Sequence, residues 1–304
     1  MNRTGPFTAL ALGILLAVPA GAAERIDGIV STAYGPPLVT QTTQTDAQDN
    51  PCGAYGVLES FGSELDAGYA FVTDGVLYLL LAGNVMSYIG EPVHADQLNV
   101  FIDSRAGGQN TLRGDNADVG FFSNTTLNAL AGLTFDPEFT PDYWFDCTVV
   151  GSVYAYSAEL LDGGGGAGYY LGQTGAGGLG NLSGGTNPFG VMMTIDNSNC
   201  GGVTTGCQAA SGDGVTSGVE WAIPLAAIGN PTGAIKVCAF ISGAFSGPGV
   251  LNQVLGPVPP GTCGIGNAAT VNFAAIPGPQ YFTVPNGVTP THPTSWGQLK
   301  LRYR

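Results

Sequence analysis

The sequence predicts an all-β fold, a jelly-roll-like antiparallel sandwich with long glycine-rich loops. Three observations predict it. Short runs rich in Val, Ile, Tyr and Phe recur between clusters of Gly, Pro, Asn and Asp, which is the pattern of many strands joined by turns. No segment sustains a 3.6-residue apolar period, so no long amphipathic helix is expected. The chain of 304 residues carries 49 Gly and 20 Pro but only 10% charged residues, with a mean hydropathy of +0.20, so it has the apolar content to fold.

The elements follow in chain order. Phe71-Val72 leads through Thr73-Asp74-Gly75 into Val76–Ala82, two β-like runs about an Asp-Gly turn, which is a hairpin signal. Leu98–Asp103 alternates and ends at the loop Ser104–Gly108. The best helix candidate is Asn124–Leu133. Tyr143–Tyr156 suits one or two strands. Asp162–Gly185 is low-complexity and reads as a hairpin or crossover loop carrying Tyr169 and Tyr170, or as a binding loop. Val191–Ile195 precedes the turn Asp196–Asn199. Val219–Ile223 alternates, and Pro224–Ile228 suits a short helical turn. Ile235–Ser242 reads as a buried strand, and Val271–Ala274 with Gln280–Val284 close the domain.

The N-terminus predicts export. Arg3 precedes the apolar run Phe7–Val18, Pro19 breaks it, and Ala20-Gly21-Ala22 offers a cleavage site. The run falls short of the roughly 20 residues that span a bilayer. Residues 1–22 are therefore expected to be a signal peptide, 23–286 a single sandwich domain, and 287–304 a Thr/Pro linker with a short C-terminal tail. The tail, Trp296–Arg304, reads either as a sorting tag or as a final edge strand. No transmembrane segment is expected. An exported chain with six cysteines implies disulfides. The turn-rich stretch between Cys200 and Cys207 predicts that pair, and Cys52–Cys147 and Cys238–Cys263 follow as the remaining local pairs.

Charge and motif exclude several chemistries. A net charge of −14 rules against a phosphate backbone as partner. No CxxC, HExxH or GxSxG occurs. His292 sits in the Pro/Thr linker, which leaves His94 alone for a Ser-His-Asp triad. Glycoside hydrolysis needs two facing carboxylates, and Glu64, Asp66, Asp103 and Glu220 are the candidates. A structural calcium would use loop carboxylates, with Asp103, Asp115 and Asp118 as the first set and Asp46 with Asp49 as the second. The same Asp/Asn turns also suit hydrogen bonds to their own backbone. Loop aromatics able to face a sugar ring are Tyr88, Tyr169 and Tyr170.

The segments Ile26-Asp27-Gly28 with Tyr34, Asp66–Ala70, Leu77-Tyr78-Leu79, Val100–Asp103 and Val219–Leu225 carry a resemblance. Together they resemble the DOMON-like and family 9 carbohydrate-binding-module sandwiches. The resemblance covers most of the chain after residue 22 and implies a jelly-roll-like sandwich that binds a sugar, haem or calcium, or only packs. Sugar-binding members stack two tryptophans, whereas Trp221 here alternates with apolar neighbours, so the ligand does not carry over. The chain also resembles exported proteins of environmental bacteria that share its GSELDAGYA, FIDSRAGGQN and PGPQYFTVP segments. The function expected is a secreted, non-enzymatic cell-surface or matrix protein, structural or adhesive, with self-association or a surface glycan as partner. A carbohydrate-binding module is the alternative, and a glycoside hydrolase a remote one.

Overall fold

The computed structural model describes residues 24–47, 62–88, 94–123, 125–243 and 249–287. The expected signal peptide, the tail beyond Gly287, Cys52, Asp49 and His292 lie outside the described residues, and of Tyr88 and His94 only the backbone is described.

The protein is an antiparallel β-sandwich. Its strands are β1 (Val39–Thr40), β2 (Glu64–Thr73), β3 (Val76–Asn84), β4 (Ser87–Tyr88), β5 (His94–Asp103), β6 (Tyr143–Val150), β7 (Ser152–Glu159), β8 (Gly168–Thr174), β9 (Ser183–Gly184), β10 (Met192–Ile195), β11 (Gly218–Pro224), β12 (Ile235–Gly243), β13 (Gly249–Val254), β14 (Gly266–Asn267) and β15 (Phe282–Val284). The smaller sheet runs β1-β2-β3-β11-β10. The larger runs β14-β13-β12-β5-β6-β7-β8-β9, with β15 added to β12 and β4 to β5. The β2–β3 hairpin turns at Asp74 and Gly75, both with positive φ (50° and 76°), as an Asp-Gly pair in a tight hairpin requires.

Period-two alternation decides which side chains fill the core. Leu77, Leu79 and Leu81 of β3 and Val219, Trp221 and Ile223 of β11 face Leu98, Val100 and Ile102 of β5 and Val237, Ala239 and Ile241 of β12 between the sheets. The outward-facing side chains of the larger sheet are also covered. Phe101, Trp144 and Phe240 pack under Leu127, Leu130, Leu133, Phe135 and Phe273 from the connections that cross the outer face. A third cluster covers the smaller sheet. Ile26 and Tyr34 of the N-terminal segment pack on Tyr69, Tyr78 and Leu80. Burying that segment also orders it chemically: Glu220 accepts hydrogen bonds from the backbone N–H of Asp27 (2.7 Å) and Gly28 (2.8 Å) and from the Tyr34 hydroxyl (2.7 Å).

Several expectations are corrected. Val271–Ala274 is not a strand: residues Phe273–Ala275 form a 3-10 turn that Asn272 caps by accepting the Ala274 N–H. The Asn124–Leu133 helix shrinks to the single 3-10 turn Leu127–Leu130, too short a stretch to nucleate more without neighbours. Pro224–Ile228 does make the helical turn, at Leu225–Ile228. The low-complexity stretch 162–185 is largely a hairpin, since β8 pairs with β7 and β9 pairs with β8.

None of the three predicted disulfides forms. Cys207 pairs with Cys263, across 56 residues. This excludes both Cys200–Cys207 and Cys238–Cys263, while Cys200 is disulfide-bonded in its own right. Cys147 and Cys238 are free and buried, which excludes Cys52–Cys147. The reason is alternation again. Cys147 on β6 points into the inter-sheet core, and Cys238 on β12 points into the outer layer, so each is a small apolar core residue.

Candidate functional site: an aromatic cleft at one end of the sandwich

Residues of β6, β7 and β8, with the segment entering β10 and the turn after β11, line a cavity of about 250 Å³. Its floor follows from strand register. Phe145 pairs with Ser157 and Ser157 with Tyr169, while Tyr143 pairs with Glu159. Ser157 is the small residue between two rings, and Ala226 and Ala227 of the 3-10 turn after β11 are small on the opposite wall. This difference in size leaves the space. Phe189 and Val191, entering β10, close one side, and Phe189 is 46% exposed. The result is an apolar, aromatic mouth with Glu159 and Ser157 as its polar groups, the composition typical of small-molecule sites.

Arg105 organises the rim. Its Nη2 lies 2.7 Å from Glu159 Oε1, and its guanidinium carbon sits 5.0 Å from the centre of the Tyr143 ring. The backbone that carries it is held by Asp142, whose Oδ2 accepts the N–H of Ser104 (2.9 Å) and of Arg105 (3.0 Å). Burial pushes the Asp142 carboxyl up, against the pull of those two N–H groups and of Arg105. Partial desolvation loosens the hold of the guanidinium on its proton, but the hydrogen bond to Glu159 and the charges of Tyr143, Asp142 and Glu159 together more than offset it.

The aromatics expected from sequence are separated by the pleat. Tyr169 lines the cleft. Tyr170 points to the other face of β8, where its ring lies 5.1 Å from that of Tyr156 and 6.5 Å from that of Tyr154. Tyr88 falls in β4, paired with His94 of β5.

The expected calcium ligands are not brought together, and among the described residues no three His, Cys, Asp or Glu side chains converge as a metal site. Asp103 pairs with Lys236 (3.4 Å) and accepts the Thr140 N–H (3.3 Å). Asp115 forms a two-pronged pair with Arg113 (2.8 and 2.6 Å), which holds its carboxyl below the usual range. Asp118 accepts the Asn128 N–H. Asp46 accepts the Asn252 N–H.

Of the carboxylates considered for hydrolysis, Glu220 is consumed by its three donors. Glu64 and Asp66 sit together on β2, Asp66 being the residue the pairing skips at a bulge between Leu65 and Ala67. Glu64 accepts the Thr204 N–H and Asp66 the Asn199 amide. Burial, with the neighbouring Asp66 adding to it, pushes Glu64 up to about 8, and burial pushes Asp66 up to about 7.

Sequence reasoning missed Phe189, Tyr143, Arg105 and Glu159. Two signals were present. Phe189 is a lone ring in the turn Asn187-Pro188-Phe189-Gly190, and Arg105 is the single cation in a small-residue loop. The chain matches no protein-family model, no curated protein and no solved structure.

Proposed function

We propose that this chain is a secreted, non-catalytic binding module that seats a sugar residue of a surface or matrix glycan in the aromatic cleft. The observation that carries this reading is the cleft itself: Tyr169 and the exposed Phe189 offer ring faces, and Ser157 and Glu159 offer polar groups at the same cavity. A sugar presents an apolar ring face and a hydroxyl edge, which that combination matches. Glu159 is the one carboxylate lining the cavity among the described residues, and Arg105 neutralises it, which favours binding over hydrolysis.

Assembly through open sheet edges is less well supported. The outermost described strands, β1, β10, β9 and β14, are two to four residues long, and short edges resist strand addition. A structural or adhesive role has one observation in its favour: Phe121, Tyr154, Tyr156 and Tyr170 form a half-buried aromatic strip on the outer face of β7 and β8.

A glycan array with the purified, oxidised protein tests the main reading. Binding to a defined glycan is expected, and Tyr169→Ala or Phe189→Ala should each weaken it roughly tenfold. Variants that bind as well as the parent would move the site elsewhere. If Tyr154→Ala and Tyr170→Ala alone weaken binding, the strip is the contact surface.

A further inference from the structure

The aromatic cleft does not end at Glu159. Beyond it lies a second, more open cavity of about 520 Å³, walled by Arg105, Gly107, Gly108, Asp142, Glu159 and Asp162. Glu159 lines both cavities, and its ion pair with Arg105 marks the boundary. The two spaces differ in chemistry. The first is aromatic and aliphatic. The second holds three carboxylates, Asp142, Glu159 and Asp162, against one guanidinium, which leaves two negative charges uncompensated.

One of those carboxylates is incompletely satisfied. Asp142 is fully buried, and while Oδ2 accepts two backbone N–H groups, Oδ1 has no hydrogen-bond donor. Its nearest cation is Arg105 Nε, at 3.5 Å, an ion pair without a hydrogen bond. A buried acceptor without a donor is costly, and although Oδ1 is itself covered, its charge adds to the negative potential of the cavity wall. Gly107 keeps the wall open. Its φ is +111°, and a Cβ there would sit 3.1 Å from Asp162 Oδ1.

We propose that this second cavity is an ammonium subsite, so that the ligand is an oligosaccharide bearing free amines, such as β-linked glucosamine. The inference rests on the carbohydrate reading of the cleft. A hydroxyl would bring one donor and no charge. An ammonium brings three N–H donors and cancels one of the two surplus negative charges, in a partly buried site where that attraction exceeds its value in water.

The test is calorimetric titration of the oxidised protein with the glucosamine tetramer, the N-acetylglucosamine tetramer and cellotetraose, at a pH where the amines are protonated. The glucosamine tetramer should bind roughly tenfold more tightly than either neutral tetramer. Glu159→Gln and Asp162→Asn should each cut that preference roughly threefold or more, because each removes one of the groove's charges. Asp142→Asn is avoided, since the buried side chain holds its own loop. Asp213→Asn removes an exposed charge outside the groove and should leave the preference intact. Equal or better binding of a neutral tetramer would overturn the ammonium subsite and leave the cleft reading standing. Failure of all three to bind would overturn the ammonium subsite, and the glycan array then decides the cleft reading by itself. A preference that survives Glu159→Gln and Asp162→Asn would assign it to the protein's overall charge and overturn the subsite.

Discussion

Two groups of buried acids occupy this sandwich, and they are managed in opposite ways. Around Arg105, buried Asp142 and partly exposed Glu159 share a guanidinium, and Asp142 alone also accepts the N–H groups of Ser104 and Arg105. Around Glu64, Asp66 and Asp96 there is no cation among the described residues. Arg25, Arg105, Arg113 and Lys236, the described cations, are paired with Asp27, Asp142 and Glu159, Asp115 and Asp103 respectively. Hydrogen bonds alone hold the second group, including the Ser63 hydroxyl donating to Asp96 at 2.6 Å. Burial therefore raises all three, Glu64 to about 8, Asp66 to about 7 and Asp96 to about 6. A chain with 8 Lys and Arg against 22 Asp and Glu cannot pair every buried acid. The comparison teaches that the guanidinium stands where acids border a cavity, while Glu64, Asp66 and Asp96, without a cation, hold their protons more tightly than they would in water.

The contrast can be broken first at Asp142. Asp142→Ala removes the acceptor of two backbone N–H groups and a partner of Arg105. It should cost about 3–5 kcal/mol in urea-induced unfolding. A cost under about 1 kcal/mol would mean that the loop carrying Arg105 is held by other contacts.

The second group should respond to pH. An acid whose folded pKa exceeds its unfolded value binds its proton more tightly in the fold. Its contribution is complete below the unfolded pKa and is lost as the pH rises through the folded value. Stability should then fall as the pH rises from about 4 to about 8, through the titration of Asp96, Asp66 and Glu64 in turn. Glu64→Gln should raise stability by about 1–2 kcal/mol above pH 8 and leave it unchanged near pH 5. A Tm that rises steadily over the same window would contradict the assignment.

Smaller effects sharpen the picture. Arg105→Gln should cost about 1–2 kcal/mol, less than Asp142→Ala, because its pair with Glu159 is screened by solvent and buried Asp142 keeps its two backbone N–H donors. It should also free Glu159, which is checked by loss of salt dependence in the unfolding midpoint. Asp115→Asn should leave the Tm unaltered within error, since its pair with Arg113 is on the surface.

Alternation and turn chemistry are local properties, and they were legible. The hairpin at Asp74-Gly75 and strands β5, β11 and β12 follow from period-two patterns read within ten residues. Tyr169 lines the cleft, but Tyr170 was not separable from it until β8 was known to be a strand with two different faces. The side chains of the calcium set are not gathered, for a related reason. Asp103, Asp115 and Asp118 are close in sequence, yet each finds a nearer partner in Lys236, Arg113 or the Asn128 N–H.

The sequence by itself determined the fold class, the position of most strands and the scarcity of positive charge, because each of these is set by composition or by neighbours along the chain. Only the tertiary structure decided which cysteines meet, which acids share Arg105 and where a cleft opens. Cys207 reaches Cys263 rather than Cys200, and Phe189 reaches Tyr169, because strand order and register bring distant segments together. No local pattern encodes those separations in space.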